Sequence, residues 1–453
     1  MKGKSVFGKA AIVVIATVML LATSVPTIAL EYKASHSILS TTYQILWRQQ
    51  WADGDHMSTK GGKSIVDGNN NIITWVDSAA YDKTYLTKYD TNGNQLWMWE
   101  INLDDLENIT SYDLNEGGQG GEMRSGTPEG PVIGILQQET DDNSWFTVVD
   151  VKTDSLNNII LMINHVVSFQ DPQIVNTDIF KYNPNGEALW KCSYTYDNYL
   201  TTGIDMAISP DGYSIYVPCL TLIGGGYILK LDSYDGAVDW FDDVKILPFW
   251  YPMSIVIDGN SNPLVSSLDC MTDPNSPTVL IGLTTLNKNN GAPVADAMIE
   301  VPLEGSLLHD AALAIDNSNH HVYFGLWGYL HCVDAGYNID WSKQVPSFIN
   351  DVKIVGNKIA TAGGWCTVGD ETDYYAGYYD KNTGATILDM ALGEILFCID
   401  PAFQPYFNQL QSISIDNQGN MIFSGGEGGM VIIKVHISTG IQIAQLFQNQ
   451  ALE

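Results

Sequence analysis

The stretch KYDTNGNQLW, Lys88 to Trp97, recurs nearly letter for letter as KYNPNGEALW, Lys181 to Trp190. Looser copies are LDSYDGAVDW ending at Trp240, VDAGYNIDW at Trp341, YDKNTGATIL at Leu388 and VHISTGIQIA at Ala444. Each joins an apolar strand end to a turn of Asp, Asn and Gly, then to a second strand with a Trp or aliphatic residue four places after the Gly, or five in the copy ending at Trp341. The Gly supplies the positive φ that such turns need, so each copy reads as a β-hairpin. A hairpin recurring at intervals of tens of residues defines a repeat architecture.

A second turn falls before each hairpin. These turns start at Asp67, Asp154, Ser209, Asp258, Asp316, Val355 and Asp416. The strand before each is apolar and β-branched (IDMAIS, SIVID, AALAID, DVKIV, SISID), and the strand after it is apolar again (IIL, IYV, VYF, MIF). Turn intervals of about 40 to 60 residues, with one of about 87, fit four-stranded blades. Helical periodicity is nearly absent. The predicted fold is all-β, a seven-bladed β-propeller of four-stranded antiparallel blades, with a solenoid or a pair of sandwiches as the competing architectures. Closure into a ring removes the exposed edges that an open sheet would present. ILWRQQW, Ile45 to Trp51, reads as an extra N-terminal strand without a first arm. It either adds to the outside of the last blade or displaces that blade's own fourth strand, Ile441 to Phe447.

Residues 1–29 read as a signal peptide: Lys2, Lys4 and Lys9, an apolar run from Ala10 to Ala22, then small residues up to Ala29. The run is short for a membrane span, and no later stretch is long and apolar enough to be one. The mature chain is therefore expected outside the cytoplasm, secreted or at the cell surface, with no membrane span. Residues 30–44 read as a disordered N-terminus and 45–453 as the propeller. The insertion at 102–144 is rich in Gly and acids, and carries the sequon Asn108-Ile109-Thr110.

The net charge of −31 reflects scarce bases, 21 Lys plus Arg, of which only Arg48 and Arg124 are arginines. So few cations argue against nucleic acid or an anionic membrane surface as partner. The six cysteines, Cys192, Cys219, Cys270, Cys332, Cys366 and Cys398, form no CxxC pair. Zinc ribbons and thioredoxin chemistry therefore have no support, while disulfides and buried thiols both stay open.

The hairpin K-Y-D-x-x-G-x-x-L-W and the preceding x-I-D-x-x-G-N resemble exported propellers of the SBBP and PQQ-like repeat type, over about residues 45 to 448. This resemblance implies fold far more than activity. It also implies that Trp97, Trp190, Trp240 and Trp341 dock each blade on its neighbour, with Leu388 and Ala444 as departures. Quinoprotein dehydrogenases of this type carry adjacent cysteines near the cofactor, and no two cysteines here are adjacent.

Connections from second to third and from fourth to first strands share one face. There the sequence places the aromatic candidates Phe249, Trp250, Tyr251, Trp327, Trp365, Phe403 and Tyr406, suited to a sugar, a peptide or a partner surface, or else filling gaps between blades. Asp269, Asp273, Glu371, Asp373 and Asp400 could serve as paired carboxylates or hold calcium, or be plain solvated charge. The histidines show no HxH or HExxH spacing, and the pair His320-His321 reads as a solvated turn on the opposite face. No GxSxG elbow or phosphate-cradling Gly loop appears. The expected function is therefore a non-catalytic interaction protein binding a protein or polysaccharide. The alternatives are a propeller enzyme, using loop carboxylates or divergent quinoprotein-like chemistry, and a structural component of the cell envelope.

Overall fold

The computed structural model describes residues 40–51, 60–77, 83–102, 105, 109–113, 132–136, 145–168, 174–195, 201–221, 225–242, 250–269, 278–302, 312–326, 328–346, 348–364, 373–394, 410–425 and 430–440. They form seven separate sheets, five of which run outward from an innermost strand in the order in which the chain meets their strands. The first blade comprises β2 (Lys60–Val66), β3 (Ile72–Asp77), β4 (Lys83–Tyr89) and β5 (Gln95–Asn102). The alternation that builds it is visible in β5, where side chains on one face pack inward and Leu96 and Met98 stay exposed. No helix of the described residues is long and apolar enough to cross a membrane.

The ring is closed by the orphan strand. β1 (Ser40–Trp51) pairs antiparallel with β31 (Met430–Gly440), giving the last blade the order β1, β31, β30 (Met421–Gly425), β29 (Leu410–Ile415). β1 thus serves as that blade's fourth strand, and it starts at Ser40 rather than at Ile45. Ile441 to Phe447 lie outside the described residues.

Part of the insertion also joins the sheet. β6 (Ile109–Asp113) runs parallel to β11 (Ala188–Thr195) and pairs on its other side with β7 (Val132–Leu136). The second blade, formed by β8 (Trp145–Thr153), β9 (Ile159–Ser168), β10 (Ile174–Tyr182) and β11, therefore has six strands, and its outer edge is covered.

Neighbouring blades are joined by a repeated device that explains the conserved lettering between copies. The glycines of the hairpin turns, Gly93, Gly186, Gly236, Gly291 and Gly384, all have positive φ. Each lies against an indole of the preceding blade: Trp47, Trp99, Trp190, Trp240 and Trp341 in that order, so close that a Cβ would come within 3.0 Å of the ring. Glycine is needed there for both conformation and space. In three junctions the indole Nε1 also donates to a turn carbonyl: Trp47 to Thr91 at 3.1 Å, Trp190 to Ser233 at 3.2 Å and Trp240 to Lys288 at 3.1 Å. In the first blade the ring against the glycine is Trp99, on which Trp97 stacks with centroids 3.7 Å apart.

The fourth blade, β17 (Trp250–Ile257) to β20 (Pro293–Pro302), has Ala295 at the indole position, opposite Thr285. The next blade compensates: Tyr337, at φ 62° where the other turns have Gly, places its hydroxyl 2.9 Å from Thr285 Oγ1. Positive φ is uncommon for an aromatic residue. Here the ring occupies the junction that lacks an indole.

The Lys of the K-Y motif completes the device. Lys88 pairs with Asp67 at 2.7 Å, Lys181 with Asp154 at 2.9 Å and Lys434 with Asp416 at 2.8 Å, all with little exposure. Each Asp begins the first turn of its blade and also accepts backbone N–H groups of that turn, as Asp67 does from Asn69 and Asn71. Lys181 and Lys434 reach the next blade as well, donating to Ser233 O and Thr91 O, the carbonyls that the Trp190 and Trp47 indoles bind. Where the first turn begins with Ser209 instead of Asp, the equivalent Lys230 pairs at 3.2 Å with Asp239 in its own blade.

Burial alone would raise the carboxyls of Asp67, Asp154 and Asp416, but the Lys ammonium and the Asn donors outweigh it, and all three are held below the ordinary range. A carboxyl lowered by folding stabilises above its unfolded pKa and loses that contribution as pH falls through the folded value. Asp150, raised by its burial, acts in the opposite sense, but is outnumbered. Midpoints of chemical denaturation are expected to stay level between about pH 7 and 5 and to fall below about pH 4. A midpoint that rises on acidification below pH 4 would show that these pairs contribute nothing.

Candidate functional site

The innermost strands surround a central channel containing a cavity of about 480 Å³. Its wall takes residues from β2, β8, β17 and β29, from the segment Ile204 to Ile208 in the third blade, and from β21 (Ala312–Asp316) and β25 (Phe348–Val355). Several of these strands carry an irregularity just before the channel position: between Val148 and Asp150, Pro252 and Ser254, Ile349 and Asp351, and Leu410 and Ser412. Such bulges re-aim a side chain. Four residues before each first turn this puts Lys63, Asp150, Asp205, Ser254, Asp351 and Ser412 in the channel wall.

The aspartates also tie the ring together. Asp150, Asp205 and Asp351 each accept from the next backbone N–H, at 2.9, 2.9 and 2.8 Å. Asp205 further accepts from Ser254 Oγ at 2.7 Å and Ile255 N at 3.1 Å, and Asp351 from Ile413 N at 2.8 Å, all in the following blade. Ser412 plays the same part with Ser64 N at 2.7 Å, linking last blade to first.

Three lysines balance these charges. Lys152 lies 2.6 Å from Asp150 and 3.9 Å from Asp205, Lys63 lies 3.6 Å from Asp205, and Lys353 lies 3.0 Å from Asp351. Two neighbouring carboxyls are thereby driven apart. Burial dominates at Asp150 and raises it, despite Lys152 and Lys63. At Asp205 burial is outweighed by Lys63, Lys152, Ser254 and the adjacent Asp150 carboxyl, which hold it well below the usual carboxylate range.

None of these six charged residues was among the candidates read from sequence, although a signal exists. The pair Asp-x-Lys occurs as Asp150-Lys152 and as Asp351-Lys353, at the same distance from the first turn. Only the ring brings the two copies to one channel.

Of the predicted binding residues, Trp250 and Tyr251 open β17, with Trp250 opposite Asp269 and Tyr251 opposite Leu268 in β18 (Pro263–Asp269). That end of the blade is the one from which the second-to-third and fourth-to-first connections leave. Asp373 begins β27 (Asp373–Asp380), opposite Glu394. Phe249, Trp327, Trp365, Phe403 and Tyr406 lie outside the described residues, as do Asp273, Glu371 and Asp400. Cys192, Cys219 and Cys332 are buried free thiols, which favours the thiol reading for these three.

The chain is a seven-bladed β-propeller that resembles solved propellers at low identity. The chain is similar to the quinohemoprotein alcohol dehydrogenase of Comamonas testosteroni, with 12% identity over 87% of this chain and 76% of that one and a TM-score of 0.46. It is also similar to BamB of Moraxella catarrhalis, with 14% identity over 64% and 97% of the two chains and a TM-score of 0.31. A protein of unknown function from Bacteroides caccae matches with 10% identity over 74% and 93% and a TM-score of 0.39. No family model and no curated protein matches the chain.

Proposed function

We propose that this protein is an exported recognition propeller that binds a protein or polysaccharide, without catalysis, on the face where second-to-third and fourth-to-first connections emerge. The observation that carries this reading is the contrast between the two faces. On one, tight turns repeat the same Asx hydrogen bonds from blade to blade, as at Asp67, Asp90, Asp154 and Asp334. On the other, the connections range from the two residues between Leu326 and Tyr329 to the stretch between Asn102 and Trp145, which includes the acidic insertion. Variation in length and chemistry is concentrated where recognition benefits from it. Half-buried Tyr251 stands at the start of β17 beside that face, an aromatic surface of the kind that suits a sugar or a peptide. Polyanions fit poorly, because Lys63, Lys88, Lys152, Lys181 and Lys434 are held by aspartates in the channel and at the blade junctions.

Protein and glycan arrays probed with the purified chain are expected to give a ligand whose affinity falls about tenfold or more in Trp250→Ala and Tyr251→Ala, the loss typical of an aromatic anchor. Tyr213→Ala and Tyr234→Ala, in exposed positions on the turn face, should leave it unchanged. The reverse pattern would move the binding surface to the other side of the ring.

The divergent carboxyls of Asp150 and Asp205 favour a second reading, acid–base chemistry in the channel on a small polar substrate. Under that reading some substrate turns over, and Asp205→Asn abolishes the turnover at unchanged stability.

A further inference from the structure

We propose that His321, Cys332 and Asp340 form a zinc site in the fifth blade, taking the place of the lysine-centred junction found elsewhere in the ring. One ligand atom from each lies within 4.8 Å of the others, and Cys332 Sγ is 3.6 Å from His321 Nδ1.

The argument rests on what these positions hold in the other blades. The third-strand residue opposite the first Trp of the fourth strand is Lys88, Lys181, Lys230 or Lys434, and in the fifth blade it is Cys332, opposite Trp341. The residue closing the first turn is Asn71, Asn158 or Asn420, each bonded to its turn Asp, and here it is His321. The bulged residue before the Trp is the exposed Leu96 or Leu189, and here it is Asp340. The bulge directs such a side chain toward the third strand, as the Asp239–Lys230 pair demonstrates.

Three departures from the repeat thus coincide in one blade and converge on one point. They replace an ammonium, an amide and an aliphatic group by a thiol, an imidazole and a carboxylate, and all three newcomers are metal-binding groups. The turn leading to His321 is also one residue longer: His320, at φ 60°, bonds back to Asp316 O at 2.7 Å from four residues on, where Asn70 and Asn157 bond Asp67 O and Asp154 O from three. Meanwhile Asp316, which would otherwise pair with a lysine of its own blade, is served by Lys381 of the next one. One sulfur, one nitrogen and one oxygen suit zinc, which takes all three donors in a tetrahedral arrangement and leaves a fourth position for water. Exposed Asp340 can close the remaining distance by a change of rotamer.

The test uses the full chain after chelation, titrated with Co²⁺ and then competed with Zn²⁺. One equivalent of Co²⁺ should bind with a thiolate-to-cobalt charge-transfer band, and Zn²⁺ should displace it. Cys332→Ser should abolish the band. His321→Asn and Asp340→Leu restore the residues of the other blades, so they should fold at least as well by thermal unfolding. Each should nevertheless weaken binding by about 1,000-fold, more than the roughly 10–100-fold attributed to second-shell partners. Absence of stoichiometric Co²⁺ binding, a band that survives Cys332→Ser, or full affinity in the two repeat-restoring variants would each overturn the site.

Discussion

Replacing Lys434 by Met is expected to destabilise the fold by about 3–5 kcal/mol, the loss typical when one member of a buried ion pair is removed. Lys434 sits where the ring closes, and both its side chain and that of Asp416 are almost fully buried. Its ammonium donates to Thr91 O at 3.0 Å and Thr91 Oγ1 at 2.6 Å as well as to Asp416, so one group binds last blade to first. Methionine preserves the stem volume but leaves the Asp416 carboxylate without its cation. The double variant Lys434→Met/Asp416→Asn should recover part of the loss, because the uncompensated charge is then removed. Denaturant midpoints measure both effects. A loss below about 1 kcal/mol for the single variant would place this pair with exposed ion pairs instead.

Trp47→Ala is expected to cost a similar amount, about 3–5 kcal/mol, through the cavity left by a large aromatic side chain. Its indole covers Gly93 and bonds Thr91 O, the carbonyl that Lys434 also binds. The two substitutions should therefore be non-additive, with a coupling above about 0.5 kcal/mol in a double-mutant cycle. Because β1 meets the rest of its blade only through β31, its release should precede global unfolding. Limited proteolysis is the check: cleavage within residues 40–51 should accelerate in Trp47→Ala ahead of cleavage elsewhere. Additive effects and unchanged cleavage would show that the strand is held by its hydrogen bonds alone.

Trp47 also shows where reading by pattern stopped short. Its context, Gln44-Ile45-Leu46-Trp47, matches the arm Gln95-Leu96-Trp97, so its role was available in the letters. The hairpin that would have revealed it is split between the two ends of the chain. Likewise His321 reads as a solvated turn residue until Cys332 and Asp340 are placed beside it. Such neighbours come from different strands, and their identity as departures emerges only when blades are compared position by position.

The channel charges follow the same logic. Asp150, Asp205 and Asp351 are unremarkable acids on apolar strands until closure aligns them around one axis with Lys63, Lys152 and Lys353. The candidates chosen instead were aromatic and acidic residues in connections, of which Trp250, Tyr251, Asp269 and Asp373 fall within described strands.

Local chemistry written in the chain determined the blades. Gly at positive φ, Asx turns and alternating apolar residues act over a few neighbouring residues, so the letters alone specify each hairpin and the number of repeats. Tertiary structure decided which strand closes the ring, which carboxyls and lysines meet in the channel, and which thiol meets an imidazole. Those outcomes depend on distances between residues remote in sequence and on the water excluded between them, and neither is set until the blades pack.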